Sequence, residues 1–198
     1  LVEKPLAPRL DGVPALLDAA DASQLCVFAA LNLRFHPAVQ GAKALIDAGR
    51  IGQPIWARLI CASYLPSWRP ATDYRSGYAA DPATGGVLFD IIHEFDLVVH
   101  LLGPAQTVAA TARNTGLLEL PSEDSADVIM RHASGVVSSI HLDYVTRPAR
   151  RRTEIAGTAG LLEIDVARRE LVLLDMEGNV IEKNSYPPDF NEIGRAHV

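Results

Sequence analysis

The chain has 198 residues, of which 48% are hydrophobic and 21% charged, and its 18 Lys and Arg against 24 Asp and Glu give a formal charge of −6. These proportions are typical of a globular protein, and the acidic balance argues against a protein held on nucleic acid by phosphate charge. No apolar run approaches the roughly 18 residues that cross a bilayer and no signal-peptide pattern opens the chain, so we expect no membrane partner and a cytoplasmic location.

The first thirty residues have the pattern of a strand, a helix and a second strand. Residues 10–22 carry apolar side chains at helical spacing, and residues 25–30 form the short apolar run that is typical of a parallel strand buried on both faces. Three elements of this length cannot enclose a core of their own. We therefore expect residues 1–30 to complete a larger sheet.

The middle of the chain contains two predicted helices, one strand and one long loop. A helix is predicted over residues 37–48, where proline opens and glycine closes an apolar repeat, and a strand over residues 55–64. Residues 65–84 are rich in proline, glycine and aromatic residues, which indicates a shaped, functional loop. A second helix is predicted over residues 87–102, ended by Gly103.

From residue 106 onward, β-branched runs alternate with short turns that contain glycine. This pattern predicts antiparallel strands joined by hairpins. The predicted strands lie at residues 107–112, 127–131, 136–144, 153–156, 161–165, 171–175 and 180–182. Helices before such a sheet predict an α+β domain, with an open, mostly antiparallel sheet and the helices on one face. The arginines at 150–152 are interpreted as a solvated strand end.

The two cysteines indicate the redox environment. Cys26 and Cys61 both lie inside apolar runs. This placement predicts two buried free thiols in a reducing compartment rather than a disulfide.

Helix 87–102 most clearly indicates chemistry, because it is apolar yet carries several charged residues. Asp90 and His93 lie three residues apart, so they share one face of the predicted helix. A carboxylate beside an imidazole favours the protonated ring and fixes its orientation, which would let His93 act as a general acid or base near neutral pH. The alternative is a structural histidine bonded to a neighbour.

Metal and phosphate sites are weaker interpretations of the same region. His93 and Glu94 begin the HExxH zinc pattern, but Leu97 stands where the second histidine belongs, so we expect no metal site. Gly85 and Gly86 precede the helix without the lysine or the further glycines of a nucleotide-binding loop. Their simpler role is to allow a close approach of the loop to a ligand or to the neighbouring backbone.

Three motifs follow one another along the chain. They are residues 3–5 (EKP) at the end of a strand, residues 32–37 (NLRFHP), and residues 85–96 (GGVLFDIIHEFD). In this order the motifs closely resemble the Gfo/Idh/MocA family of NAD(P)-dependent oxidoreductases. The resemblance covers nearly all of residues 1–192, and the loop at residues 65–75 is similar to that of a subgroup of the family.

The resemblance implies two domains. Residues 1–30 would be the last strand, helix and strand of a Rossmann domain that binds NAD or NADP, and residues 31–192 an α+β substrate domain whose sheet face joins two copies of the protein. Lys4 would lie near the nicotinamide and the substrate hydroxyl. His93 would exchange the hydroxyl proton, and Asp90 would orient His93 or bind a neighbouring hydroxyl.

Side-chain chemistry and position in the chain suggest contact residues for cofactor and substrate. The predicted cofactor contacts are Glu3, Lys4, Asn32 and Arg34. Asn32 and Arg34 begin the crossing between the two domains, and the alternative for both is a capping role in the structure alone. Aromatic faces stack on sugar rings, and guanidinium groups hold hydroxyls or carboxylates. The predicted substrate contacts are Trp68, Arg69, Tyr74 and Arg75. Alternatively, their loop packs on the cofactor domain or on a partner subunit.

The predicted function is hydride transfer between NAD(P) and a hydroxyl or carbonyl of a sugar, cyclitol or related polyol. Two alternatives stay open: an NAD-requiring glycosidase of the same fold, and a non-catalytic domain for sugar binding or dimerisation. The chain has no glycine-rich phosphate loop, so we expect it to be inactive on its own.

Both ends of the chain indicate a fragment. Leu1 stands where an initiator methionine would, so we expect missing sequence before it. Residues 193–198 (IGRAHV) match what a common sequencing adapter encodes in one frame, which predicts a non-native tail. The alternative is an ordinary chain end.

Overall fold

One eight-stranded sheet organises the protein. The computed structural model describes residues 1–188, so the predicted tail at 193–198 and the end of the predicted 31–192 domain lie outside the described residues. The strands are β1 (Pro54–Ala62), β2 (Ala105–Arg113), β3 (Ser125–His132), β4 (Val137–Asp143), β5 (Arg150–Gly157), β6 (Gly160–Asp165), β7 (Glu170–Leu174) and β8 (Val180–Ser185).

Helices and short 3-10 turns make up the rest of the described secondary structure. The helices are α1 (Val13–Ala22), α2 (Pro37–Asp47), α3 (Gly86–Asp90) and α4 (His93–Leu102). The 3-10 turns are Asn32–Phe35, Leu65–Ser67, Tyr74–Ser76 and Tyr78–Ala80. No helix within residues 1–188 is long and apolar enough to cross a membrane.

The order of strands places β1 in the middle of the sheet. The strands run β2-β3-β4-β1-β5-β6-β7-β8 across it. β1 pairs parallel with β4 and antiparallel with β5, and every other neighbouring pair is antiparallel. The predicted mostly antiparallel sheet is confirmed, but the one parallel pair was not predicted.

The two faces of the sheet differ in burial. Buried residues alternate with half-buried or exposed ones along β3, β4, β5, β6 and β7, as expected when one face packs on a core. Helix α2 packs on β6 and β7, α3 on β3 and β4, and α4 on β1 and β4. The helices therefore cover one face, as predicted, and the opposite face carries apolar side chains such as Ile60 and Ile129 at its surface.

The predicted helix over residues 87–102 is broken into two. α3 ends at Asp90, Ile91 leaves the helical region with φ −98° and ψ 37°, and α4 begins at His93. The prediction of one continuous helix is therefore wrong. Neither proline nor glycine stands at the break, so the local sequence contained no signal for it, and its cause lies in contacts described below.

Residues 1–30 keep the predicted order of elements without forming a sheet. Helix α1 has no buried residue, and the segments on either side of it meet in one parallel bridge between Val2 and Ala29. Cys61 is buried, but Cys26 is exposed, so the prediction of two buried thiols is wrong for Cys26. The reason is that no layer within residues 1–188 packs on the apolar run around Cys26.

The alternation along β6 predicts a measurable difference between adjacent leucines. Leu162 is fully buried against the helices, whereas Leu161 is half-buried on the opposite face. We expect Leu162→Ala to lower the free energy of unfolding by about 2–5 kcal/mol, because it leaves a cavity in a packed core. We expect Leu161→Ala to cost less. Urea unfolding followed by circular dichroism measures both variants, and equal losses would contradict the assigned faces.

Candidate active site at the break between two helices

The buried carboxylate of Asp90 accepts hydrogen bonds from three separate segments of the chain. The Lys4 ammonium donates to Oδ1 at 3.2 Å, and the Tyr78 hydroxyl donates to the same oxygen. The Tyr144 hydroxyl lies 3.0 Å from Oδ2 and also 3.0 Å from the Gly86 carbonyl oxygen. A carboxylate removed from water requires such donors.

Both tyrosine hydroxyls are held in their donating, protonated form. Burial raises the pKa of Tyr144, and the charge of Asp90 raises this pKa further. Burial and the hydrogen bond to Asp90 likewise raise the pKa of Tyr78. At neutral pH the two phenols therefore act as fixed hydrogen-bond donors to the carboxylate.

Lys4 also contacts the backbone at the helix break. Its ammonium donates to the Asp90 carbonyl oxygen at 2.6 Å. In an uninterrupted helix that carbonyl would accept the amide of Glu94, four residues on. The ammonium thus bonds a backbone group at the point where α3 and α4 separate, which gives a physical reason for the break. A contact between residues 86 positions apart leaves no trace in the local helical pattern.

His93 lies on the other side of the break, and its imidazole has no hydrogen-bond partner among the described residues. Its Nδ1 is buried and unbonded, and within residues 1–188 no donor or acceptor engages the ring. Burial lowers the pKa of His93 to about 4, and the charges of Arg151 and Lys4 add to this effect. The ring is therefore neutral at pH 7 and able to accept a proton.

The expected partnership between Asp90 and His93 is not present. We predicted that the carboxylate would orient the imidazole and favour its protonated form. Instead, both carboxylate oxygens are engaged by Lys4, Tyr78 and Tyr144, and no hydrogen bond joins them to His93. The break between α3 and α4 also removes the shared helical face on which the prediction was based.

Lys4 and His93 line the same open cleft of about 420 Å³. Asp90 and Trp68 also line it, and its volume lies in the range of small-ligand sites. Trp68 is fixed by two contacts: its Nε1 donates to the Ser63 hydroxyl at 2.8 Å, and its ring meets the Tyr144 ring edge to face at 5.6 Å. An indole held in this way presents a rigid apolar wall to a ligand.

A buried ion pair supports the floor of the cleft. Arg151 Nε donates to Glu94 Oε1 at 2.8 Å, and Glu94 is 2% exposed. Burial raises the pKa of the nearby Cys61 to about 12, and the charge of Glu94 raises it further. Cys61 is therefore a thiol at neutral pH and a poor nucleophile.

Sequence reasoning missed the role of Arg151. The arginines at 150–152 were interpreted as a solvated strand end, and this is wrong for Arg151, which reaches the buried Glu94. Glu94 was the one feature of the sequence that indicated a buried cation, because a carboxylate on an apolar helix requires one. Which of 18 basic residues supplies the cation depends on strand order, which was not predicted.

The four predicted substrate contacts fall in three places. Trp68 lines both the cleft with Lys4 and His93 and a neighbouring cavity of about 70 Å³, whereas Arg69 and Tyr74 line that cavity alone. Arg75 lines neither space. Its guanidinium is held at the surface by Asp73 and Glu119, so its predicted contact with substrate has no support.

The predicted cofactor contacts are also divided. Lys4 lines the cleft, while Glu3 is exposed beside it and Asn32 is half-buried in the crossing between the two predicted domains. The Arg34 guanidinium is bound by Asp96 of α4, with Nε 2.9 Å from Oδ2. Arg34 therefore fixes the crossing segment to α4.

The paired glycines allow the long loop to approach α3 closely. A Cβ atom on Gly85 would lie 2.1 Å from the Tyr78 carbonyl oxygen, and Gly86 has a positive φ of 83°. Gly85 therefore requires glycine for the close backbone approach that the sequence predicted, and Gly86 favours glycine because of its left-handed φ. Among residues 1–188, no three His, Cys, Asp or Glu side chains form a group that could hold a metal ion.

Comparison with known proteins gives a family model and related sequences. A sequence model described as the GFO/IDH/MocA C-terminal domain matches residues 39–163. The chain is similar to a 1,5-anhydro-D-fructose reductase of Ensifer adhaerens, at 32% identity over 169 residues that cover 82% of this chain and 48% of that protein. A D-apiose dehydrogenase of Rhizobium rhizogenes is 25% identical over 85% of this chain and 49% of its own length. The chain spans about half the length of the curated relatives it matches.

A solved structure shows the same fold. The inositol dehydrogenase homolog from Azotobacter vinelandii complexed with NAD+ superimposes with a TM-score of 0.80. It is 19% identical, and the match covers 95% of this chain and 51% of that one. At this identity the likeness establishes the architecture alone.

The environments of two histidines predict opposite titration behaviour. We expect His93 to stay neutral from pH 7 down to about pH 4, because its folded pKa is lowered by burial and nearby cations. Burial opposes protonation of His141, but its hydrogen bonds to Asp127 and Asp143 outweigh this effect and raise its pKa. NMR titration of imidazole shifts, assigned with His93→Gln and His141→Gln, measures both. A His93 that titrates at or above the pKa of His141 would contradict the described site.

Proposed function

This chain belongs to the Gfo/Idh/MocA family, and from that premise we propose that it is the substrate-binding part of an NAD(P)-dependent enzyme. The enzyme would transfer hydride between the nicotinamide and a hydroxyl or carbonyl carbon of a sugar, cyclitol or related polyol. The names of the reductase and dehydrogenase relatives support this substrate class. Lys4 and His93 would be its catalytic residues.

One observation carries the proposal: Lys4 and His93 line one cleft, and the imidazole makes no hydrogen bond within residues 1–188. Oxidation of an alcohol requires a base for the hydroxyl proton, within hydrogen-bonding reach of it. A neutral, unbonded imidazole at a cleft wall meets that requirement. A non-catalytic sugar-binding domain would not need these two side chains to converge.

The residues of the cleft fit a nicotinamide cofactor beside the substrate. The Lys4 ammonium and the His93 imidazole, which no group within residues 1–188 engages, line one cleft of about 420 Å³, and this volume leaves room for ligand groups beside them. When bound, the nicotinamide supplies or accepts the hydride. We propose Lys4, Glu3 and Asn32 as contacts of the cofactor.

Lys4 and Asp90 would control charge during the reaction. The Lys4 ammonium is anchored by Asp90, so it presents a fixed positive charge to the oxygen that loses its proton to His93. A preorganised charge of this kind stabilises a developing alkoxide without rearrangement. Tyr78 and Tyr144 hold Asp90 in place and act as positioning residues.

Residues 1–30 would belong to the nucleotide-binding domain. Helix α1 has no buried residue, and the apolar run that follows it exposes Leu25 and Phe28. Surfaces of this kind are expected where further layers pack on them. We therefore propose residues 1–30 as the last elements of a Rossmann domain and residues 31–192 as the substrate domain.

We further propose that the uncovered face of the sheet joins two copies of the protein. Ile60, Ile129 and Val137 are 38%, 55% and 42% exposed on this face. Apolar side chains exposed on one face of a sheet are typical of an interaction surface.

Removal of the imidazole tests the catalytic assignment. In the full-length enzyme, we expect His93→Ala to lower turnover by about 10²- to 10⁴-fold, because the hydroxyl proton loses its acceptor, with little change in affinity for NAD(P). His100→Ala, on the same helix but outside the cleft, is the matched control and should keep turnover. The measurement is steady-state kinetics with product analysis, which also separates net oxidation from hydrolysis. Unchanged turnover in His93→Ala would remove the proposed base.

Placement of a charge on the open face tests the dimer. We expect Ile129→Glu to convert a dimer into a monomer, because two buried carboxylates would face each other across the interface. Val108→Glu is the control, since Val108 is 61% exposed but lies on the helix side of the sheet edge. Light scattering after size exclusion gives the mass. A wild-type protein that is already monomeric would contradict the proposal.

A further inference from the structure

We propose that the substrate carries an anionic group, a carboxylate or a phosphate monoester, which the Arg150 guanidinium binds in the cleft. The inference rests on the proposed function, because it names the class of polyol that the same site accepts. The relatives whose names state a substrate act on uncharged sugars and polyols. An anionic substrate would therefore distinguish this chain from those relatives.

The start of β5 directs three consecutive arginines to different surroundings. Because side chains alternate along a strand, Arg151 points to the helix-covered face, while Arg150 and Arg152 start on the opposite face. Arg151 is neutralised by Glu94 at 2.8 Å, and Arg152 lies 3.6 Å from Asp165. Two of the three guanidinium groups thus have a carboxylate of the protein beside them.

Arg150 is the arginine that lacks such a partner. Among residues 1–188, no carboxylate lies within ion-pairing distance of its guanidinium, and no hydrogen bond engages it. Arg150 nevertheless lines the cleft that contains Lys4 and His93. A cation without a counterion in a concave site is suited to bind an anionic ligand group.

A positively charged groove continues from the cleft at this point. The groove has a volume of about 330 Å³ and shares Arg150 and Arg151 with the cleft. Four arginines and one aspartate line it, and that aspartate, Asp165, is shared between Arg152 and Arg168 at 3.6 and 3.7 Å. The local charge is therefore positive on a chain whose formal charge is −6.

The two regions together fit a bifunctional ligand. The hydroxyl to be oxidised would lie near Lys4 and His93, and the anionic group would lie on Arg150, which lines the same cleft. A guanidinium presents parallel N–H donors that match both carboxylate and phosphate oxygens. Binding at two ends fixes which carbon of the polyol faces the base.

Matched ligands test the inference in the full-length enzyme. We compare kcat/KM for D-glucose, D-glucuronate and D-glucose 6-phosphate, and for myo-inositol and its monophosphate. We expect the preferred anionic member to exceed its neutral counterpart by about tenfold to a hundredfold, and Arg150→Gln to abolish that difference by lowering kcat/KM far more for the anionic member than for the neutral one. The carboxylate and phosphate arms identify which anion the site takes.

Arg50→Gln is the control variant, because Arg50 is a partly exposed arginine that lines neither the cleft nor the groove. It should leave the preference intact. Neutral members that react equally well or better in the wild type would overturn the inference, even though hydride transfer upheld the proposed function. An equal loss for neutral and anionic members in Arg150→Gln would also overturn it.

Calorimetric binding measurements test the proposed anion site even if the enzyme oxidises no polyol. In that case the proposed function fails, and calorimetry on the 198-residue chain compares glucuronate, glucose 6-phosphate and glucose at constant ionic strength. Tighter binding of an anionic sugar that is lost in Arg150→Gln supports the site. Absent binding, or equal binding of all three sugars, overturns it.

Discussion

The arrangement of the molecule depends on the hydrogen bonds that the Asp90 carboxylate accepts. It is buried, so it must be surrounded by donors, and the donors come from the N-terminal segment, the long loop and the end of β4. These three segments and α3, which carries Asp90, thereby meet at one carboxylate. The position of Lys4 relative to His93, and with it the shape of the cleft, follows from this requirement.

The same principle explains why an apolar helical segment carries so many acidic residues. Asp90 pairs with Lys4 from the N-terminal segment, and Glu94 pairs with Arg151 from β5. Asp96 pairs with Arg34 from the crossing between the two predicted domains. Each pair fixes a different neighbour on α3 or α4. The three carboxylate side chains are at most 8% exposed, so a displaced cation would leave a nearly buried negative charge. Other arrangements are therefore disfavoured even where a pair contributes little net stability.

Local patterns were sufficient for the strands but not for the contacts between distant segments. Alternation and glycine-containing turns predicted every strand of the sheet, and the motif around Lys4 and His93 predicted two residues that line one cleft. The helix break, the parallel pairing of β1 and the role of Arg151 were missed. Each of these results from a partner many residues away, whereas a window of sequence reports only on neighbours. The exposure of Cys26 was missed for a related reason. An apolar run in the sequence indicates that a segment is suited to burial, but it does not show which other element packs on that segment.

The central position of β1 has a consequence for how the chain is made. Strands β2 to β4 and strands β5 to β8 form two meanders, in which each strand pairs with the next one along the chain. Each meander can form hairpin by hairpin as it leaves the ribosome. β1 emerges before both, yet its two edges pair with β4 and β5. The nascent polypeptide therefore carries β1 with both edges open until β4 is made, and with one edge open until β5 follows. An open edge of an apolar strand favours aggregation during this interval.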